Sequence, residues 1–148
     1  MRLRPHHLLD IITDYGRGVE FEPHPYGHAL HIVAAQVLAD PGARVTFVLA
    51  ADAICEPCRH LRPDGQCGDV LHQLEQPLSK QAYNDELDRR LFAALGMGPG
   101  DEMAVRTFLE RVQEYTPGIE TICTHPGEQE TSRREGLEQG LTRLGLRK

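Results

Sequence analysis

The chain has no tryptophan and only four phenylalanines and four tyrosines in 148 residues. Its core must therefore rest on Leu, Val, Ile and Ala. No apolar run approaches the roughly 20 residues that span a bilayer, so no membrane partner is expected. The opening "MRLRPHHLLD" has basic residues but neither a long apolar stretch nor a small-residue cleavage site, so it does not read as a secretory signal, and a cytoplasmic setting is expected. There is no excess of positive charge either. The formal net charge is −6, which argues against nucleic acid, whose phosphates are bound by surplus Lys and Arg. No dinucleotide fingerprint, P-loop or Gly-x-Ser-x-Gly elbow occurs, and no internal repeat or low-complexity linker breaks the chain. The glycine-rich "GMGPGDE" at 96–102 has no strand before it and reads as a connector between helices.

What remains is an ordinary globular composition, 40% apolar and 26% charged, long enough to bury a core without staples. The pattern predicts an α+β fold, predominantly helical, with about five helices packed around a small sheet or single strand. Helices are expected over "RPHHLLDIITDYG", "YGHALHIVAAQVLADPG", "LSKQAYNDELDRRLFAALG" and "GDEMAVRTFLERVQEYTPG". Ser79 and Gly96 serve as cap and stop of the third, and a short further helix is expected around "DVLHQLEQ". "ARVTFVLA" is the clearest strand, short, β-branched and alternating. Residues 1–127 read as the body of one domain, and 128–148 as a helical extension of it with a narrow stripe of Leu137, Leu141 and Leu144. Two glycines weaken that last helix, which is expected to dock on the body.

The informative stretch is "ADAICEPCRHLRPDGQC", residues 51–67, which comes after the strand and carries Cys55, Cys58 and Cys67. The fourth cysteine is Cys123. In a reducing compartment close-set thiols are more often metal ligands or catalysts than disulfides. A Cys-x2-Cys turn brings two sulfurs to one side of a tight loop, a spacing that recurs at zinc and iron sites. Pro57 stiffens the turn, and Arg59, His60 and Arg62 offset thiolate charge. Cys55 and Cys58 alone could be a thioredoxin-like pair, but no amphipathic helix comes after them and Cys67 would then be unexplained. Cys123 is either the fourth ligand or a buried apolar residue.

Taken together, "LRPHHLLD", "DAICEPC", "GQC" and the late "IC" resemble a bacterial and archaeal family of uncharacterised proteins described as iron–sulfur binding, whose members begin with an Arg-x-His-His-Leu-Leu-Cys stretch. The resemblance runs from residue 2 to about residue 123 and implies cluster binding but no particular reaction. Two departures matter: the family's first cysteine is Asp10 here, and the cysteines that often come after the late one are replaced by "THPGE". Cys55, Cys58, Cys67 and Cys123 then form a set of four, with Asp10 as an alternative oxygen ligand. A [2Fe–2S] cluster is favoured over [4Fe–4S]. Among eight histidines, one of His6 and His7 is expected to bond a cluster sulfur or cap the cysteine loop, and His60 and His125 are fallback ligands. His24, His28 and His31 read as surface or half-buried helix residues.

These readings converge on a small iron–sulfur protein, a ferredoxin-like electron carrier or redox accessory that docks on a basic partner protein. Its oligomeric state, homodimer included, is open. A zinc-stabilised binding module using the same cysteines is the alternative from another class. A cluster-dependent enzyme or sensor is the third.

Overall fold

In a computed structural model of the chain, residues 1–71, 78–116, 118–124 and 127–147 are described. These residues form five helices and a three-stranded mixed sheet: β1 (Arg2–Leu3), α1 (Pro5–Gly16), α2 (Leu30–Ala39), β2 (Arg44–Phe47), α3 (Lys80–Leu95), β3 (Glu102–Ala104), α4 (Val105–Glu114) and α5 (Glu130–Arg143). The mainly helical α+β architecture is the one the sequence pattern implies.

The sheet order is β1-β2-β3, with β1 parallel and β3 antiparallel to β2. Val45 and Phe47 of β2 point into the core and are fully buried, as the alternation requires. Phe47 stacks on Phe108 of α4 at 4.6 Å between ring centres. Two strands depart from the sequence pattern. β1 has two residues, and β3 occupies 102–104, inside the stretch expected as helix; α4 starts instead at Val105. Asp101 accepts the Phe47 N–H through its main-chain oxygen, and Arg44 and Ala104 are paired in register. Of the short helix expected around 69–76, residues 69–71 are not helical and Val70 bridges to Ser79, while 72–77 lie outside the described residues.

α1 is the central element. Pro5 occupies its first turn, where a missing N–H costs nothing. Leu8, Leu9, Ile11 and Ile12 are buried, with α5 and α3 packed along the helix. α3 carries the caps that its sequence implies. Ser79 Oγ accepts the Ala82 N–H at 3.3 Å, and Gly96 closes the helix at φ 64°. α5 lies along α1 with Leu137 and Leu141 in the core. The two helices touch through glycine backbones, Gly16 against Gly136 and Gly140 against Ile12.

Candidate metal centre

β2 delivers the chain into the cysteine loop, and one carboxylate organises the start of that loop. Asp52 Oδ1 accepts the N–H groups of Ile54 and Cys55 at 3.0 and 3.3 Å. Its Oδ2 accepts the Arg4 N–H at 2.8 Å and the His7 ring nitrogen Nδ1 at 2.7 Å. The loop then turns twice, Cys58 N–H onto the Cys55 carbonyl and Leu61 N–H onto the Cys58 carbonyl. Asp64, Gly65 and Gln66 reverse it, so that Leu61 and Cys67 pair as an isolated bridge. Neighbouring elements hold the loop from outside. The Tyr26 carbonyl accepts the Arg59 N–H, and Gln81 Oε1 on α3 accepts the Cys67 N–H at 2.7 Å. The backbone amides of Cys55, Cys58 and Cys67 are therefore spent within the scaffold, not left pointing at sulfur.

All four thiols are free. Cys55, Cys58 and Cys67 line one cavity of about 290 Å³, together with His6, His7, Asp10 and His60. His60 stands edge-on to Tyr26, 4.2 Å between ring centres, and its Nε2 is buried with no hydrogen-bond partner. A buried imidazole nitrogen without a partner is costly and calls for something to fill it. Ligand atoms of His7, Asp52 and Cys55 also lie within 4.8 Å of one another. Asp52, however, already accepts four hydrogen bonds from its surroundings. It acts as the clamp that fixes His7 and Cys55, with little lone-pair capacity left for an ion.

Cys123 lies elsewhere. It comes just after a short 3-10 turn, Ile119–Thr121, and lines a separate small pocket with Leu9, Thr13 and Leu137. Its sulfur faces the guanidinium of Arg133 on α5, with Nη2 at 3.5 Å, and Arg133 Nε donates to its carbonyl at 3.0 Å. Asp10 borders the cysteine cavity, but its Oδ1 is ion-paired to the same Arg133 at 2.7 Å. The two alternatives for a fourth ligand are thus joined to each other through one arginine. His125 falls outside the described residues. His24 and His28 stack on one another, each ring accepting a backbone N–H nearby, a local arrangement at the rim.

Burial and the Asp52 charge push the Cys55 thiol up to about 12; burial and the Asp10 charge do the same to Cys123. At pH 8 only roughly one such thiol in ten thousand is the reactive thiolate. Iodoacetamide on the metal-free protein should therefore modify Cys55 and Cys123 slowly, with the buried Cys123 last of all. Peptide mapping by mass spectrometry reads the order, and early labelling of Cys123 would show that its Arg133-capped burial is not maintained.

Residues 24–126 match the model of a family described as protein of unknown function (DUF1284). The chain belongs to that family. The DUF1284 match covers the whole cysteine loop, α2 to α4 and Cys123, and begins after α1, so His6, His7 and Asp10 precede it. No curated protein and no solved structure matches the chain.

Sequence reasoning singles out every cysteine but misses Asp52 and Gln81, which position two of them. The signal for Asp52 is local: an acidic residue three before a cysteine, where its oxygen can accept the next N–H groups in an Asx-type turn. Gln81 leaves no such trace, since it meets Cys67 across 14 residues of chain.

Proposed function

We propose that the chain is a small iron–sulfur protein that holds a [2Fe–2S] cluster on Cys55, Cys58, Cys67 and His60 and passes electrons to a partner protein. The observation that carries this reading is the buried, partnerless Nε2 of His60, a residue that lines the same cavity as three free thiols. Thiolate sulfur and imidazole nitrogen are the donors that cluster iron accepts, and replacing thiolate by imidazole raises the reduction potential. His60 is favoured over Cys123 because the latter faces a different pocket behind Arg133. The resemblance of the N-terminal "RPHHLLD" and the cysteine order to iron–sulfur proteins points the same way. The bound group would supply one-electron chemistry. The chain's own part is to bury the ligands, exclude water and balance thiolate charge with Arg59 and Arg62. The acidic net charge suits a basic redox partner, and free thiols suit the cytoplasm.

Anaerobic purification should give a brown-red protein with iron and acid-labile sulfide in equal amounts. His60→Ala should lose most of the cluster and Cys123→Ser should keep it. Electron paramagnetic resonance of the reduced wild type should show nitrogen hyperfine coupling, absent in His60→Cys, whose potential should drop. A colourless protein with stoichiometric zinc would replace this function with a zinc-stabilised module. A cluster lost in Cys123→Ser but kept in His60→Ala would return the fourth position to Cys123.

A further inference from the structure

The first turn of α1 holds a second arrangement with metal-ligand chemistry. His6 and His7 are consecutive, yet each ring is fixed at Nδ1 by a different buried carboxylate. His6 meets both oxygens of Asp88 on α3, at 2.9 and 3.0 Å. His7 meets Asp52 of the cysteine loop at 2.7 Å. Both carboxylates are already accepting from donor-only groups: Asp88 from Arg4 Nη1 and the His6 N–H, Asp52 from the Arg4, Ile54 and Cys55 N–H groups. The hydrogen-bond network therefore assigns the proton of each ring to Nδ1. In the neutral form of each ring that leaves Nε2 as the nitrogen with the lone pair, and among the described residues no protein group bonds either one. The two rings are 4.3 Å apart at 53° and both line the cavity.

The carboxylates would hold the start of α1 without these rings, because Asp88 already accepts the His6 N–H of its first turn and Asp52 the N–H of Arg4 just before it. The ring bonds add something else, a fixed tautomer and a fixed orientation. Metal-binding histidines are held in this way, by a carboxylate on the nitrogen opposite the metal. The spacing agrees as well. With metal–nitrogen bonds of about 2.1 Å, two imidazoles bound side by side on one ion have ring centres roughly 4–5 Å apart.

We propose that His6 and His7 bind one divalent transition-metal ion through their Nε2 atoms, at a second site beside the cysteine loop. Two imidazoles suit zinc, nickel, copper or ferrous iron. With only two protein ligands, the remaining positions of the ion face the cavity and are open to water or to a small anionic molecule. The site adjoins the sulfur ligands, since His6, His7 and Cys55 line the same cavity.

Cobalt(II) alone, added to the cluster-free full chain, tests this. Cobalt on thiolates gives an intense near-ultraviolet band, whereas cobalt on imidazole gives only weak visible bands. His6→Asn with His7→Asn is the informative variant: the Asn amide can still donate to each carboxylate, but nothing replaces Nε2. It should bind one equivalent fewer than the wild type, with the thiolate band and the far-ultraviolet circular dichroism unchanged. Equal stoichiometry in the two proteins overturns the proposal. So does loss of the thiolate band in the variant, which would make His6 and His7 ligands of the cysteine centre. Should the variant not fold, imidazole nitrogen NMR of the wild type titrated with zinc decides. Movement of the His6 and His7 Nε2 signals supports the site, and unmoved signals overturn it.

Discussion

Asp88→Ala is expected to destabilise the protein by on the order of 3–5 kcal/mol, the range for removing one partner of a buried ion pair. Asp88 is fully buried on α3, and Arg4 is 2% exposed. The carboxylate accepts Arg4 Nη1 at 3.0 Å, the His6 N–H at 2.9 Å and the His6 ring. Without it, a guanidinium and an imidazole stay in the interior with half their partners gone. Arg4 keeps Asp85 at 2.8 Å, but Asp85 is partly solvated, so Asp85→Ala should cost much less. Asp88→Asn has the right shape but presents an NH2 group to donors and should also be costly. Burial alone would raise the Asp88 carboxyl; the charge and hydrogen bonds of His6, with Arg4, outweigh it and hold it below the usual range. A carboxyl lowered in the folded state contributes stability that is complete above the unfolded value of about 4 and is lost as pH falls through the folded one. The gap between wild type and Asp88→Asn should therefore be widest near neutrality and narrow below pH 4. Urea titrations across pH read both effects, and a loss under about 1 kcal/mol at pH 7 would mean that the network is not what joins α1 to α3.

Features set by a few adjacent residues are legible in the sequence. The alternating strand at 44–47, the Ser79 cap, the Gly96 stop and the common loop of Cys55, Cys58 and Cys67 all depend on neighbours along the chain. β1 and β3 are not legible, because two or three residues acquire strand character only from pairing with β2. The same holds within the site. That Cys123 faces Arg133 in a pocket apart from the other thiols depends on α1 and α5, which pack together from opposite ends of the chain. The His6–Asp88 pairing spans 82 residues, and no local pattern announces it. The sequence carries the pair of adjacent histidines. It lacks their orientation, which two remote carboxylates provide.

The α5 glycines reverse the reading that propensity suggests, and the reversal is measurable. Gly→Ala inside a helix ordinarily stabilises by about 1 kcal/mol, so Gly136 and Gly140 look like weaknesses. At Gly140 a Cβ would overlap the Ile12 carbonyl oxygen and lie 2.9 Å from the Ile12 side chain. Backbone cannot yield as a flexible side chain does, so the helices must separate, exposing Leu137 and Leu141, now 7% and 3% exposed. Overpacking of a tight core costs about 1–3 kcal/mol, and more where backbone is the obstacle. Gly140→Ala should therefore destabilise by roughly 2–3 kcal/mol net, despite its better propensity. Gly136 supplies the internal control. A Cβ there meets the Thr13 side chain at 2.9 Å, its carbonyl oxygen at 3.0 Å and Arg17 Nε at 3.1 Å, a milder obstruction than the backbone overlap at Gly140. Gly136→Ala should therefore cost clearly less than Gly140→Ala. Thermal and urea unfolding of the two variants side by side separates the effects: equal shifts would mean that helix propensity and not the α1–α5 crossing governs these positions. Because Arg133 reaches Asp10 and Cys123 from α5, Gly140→Ala should also loosen that cap and speed alkylation of Cys123.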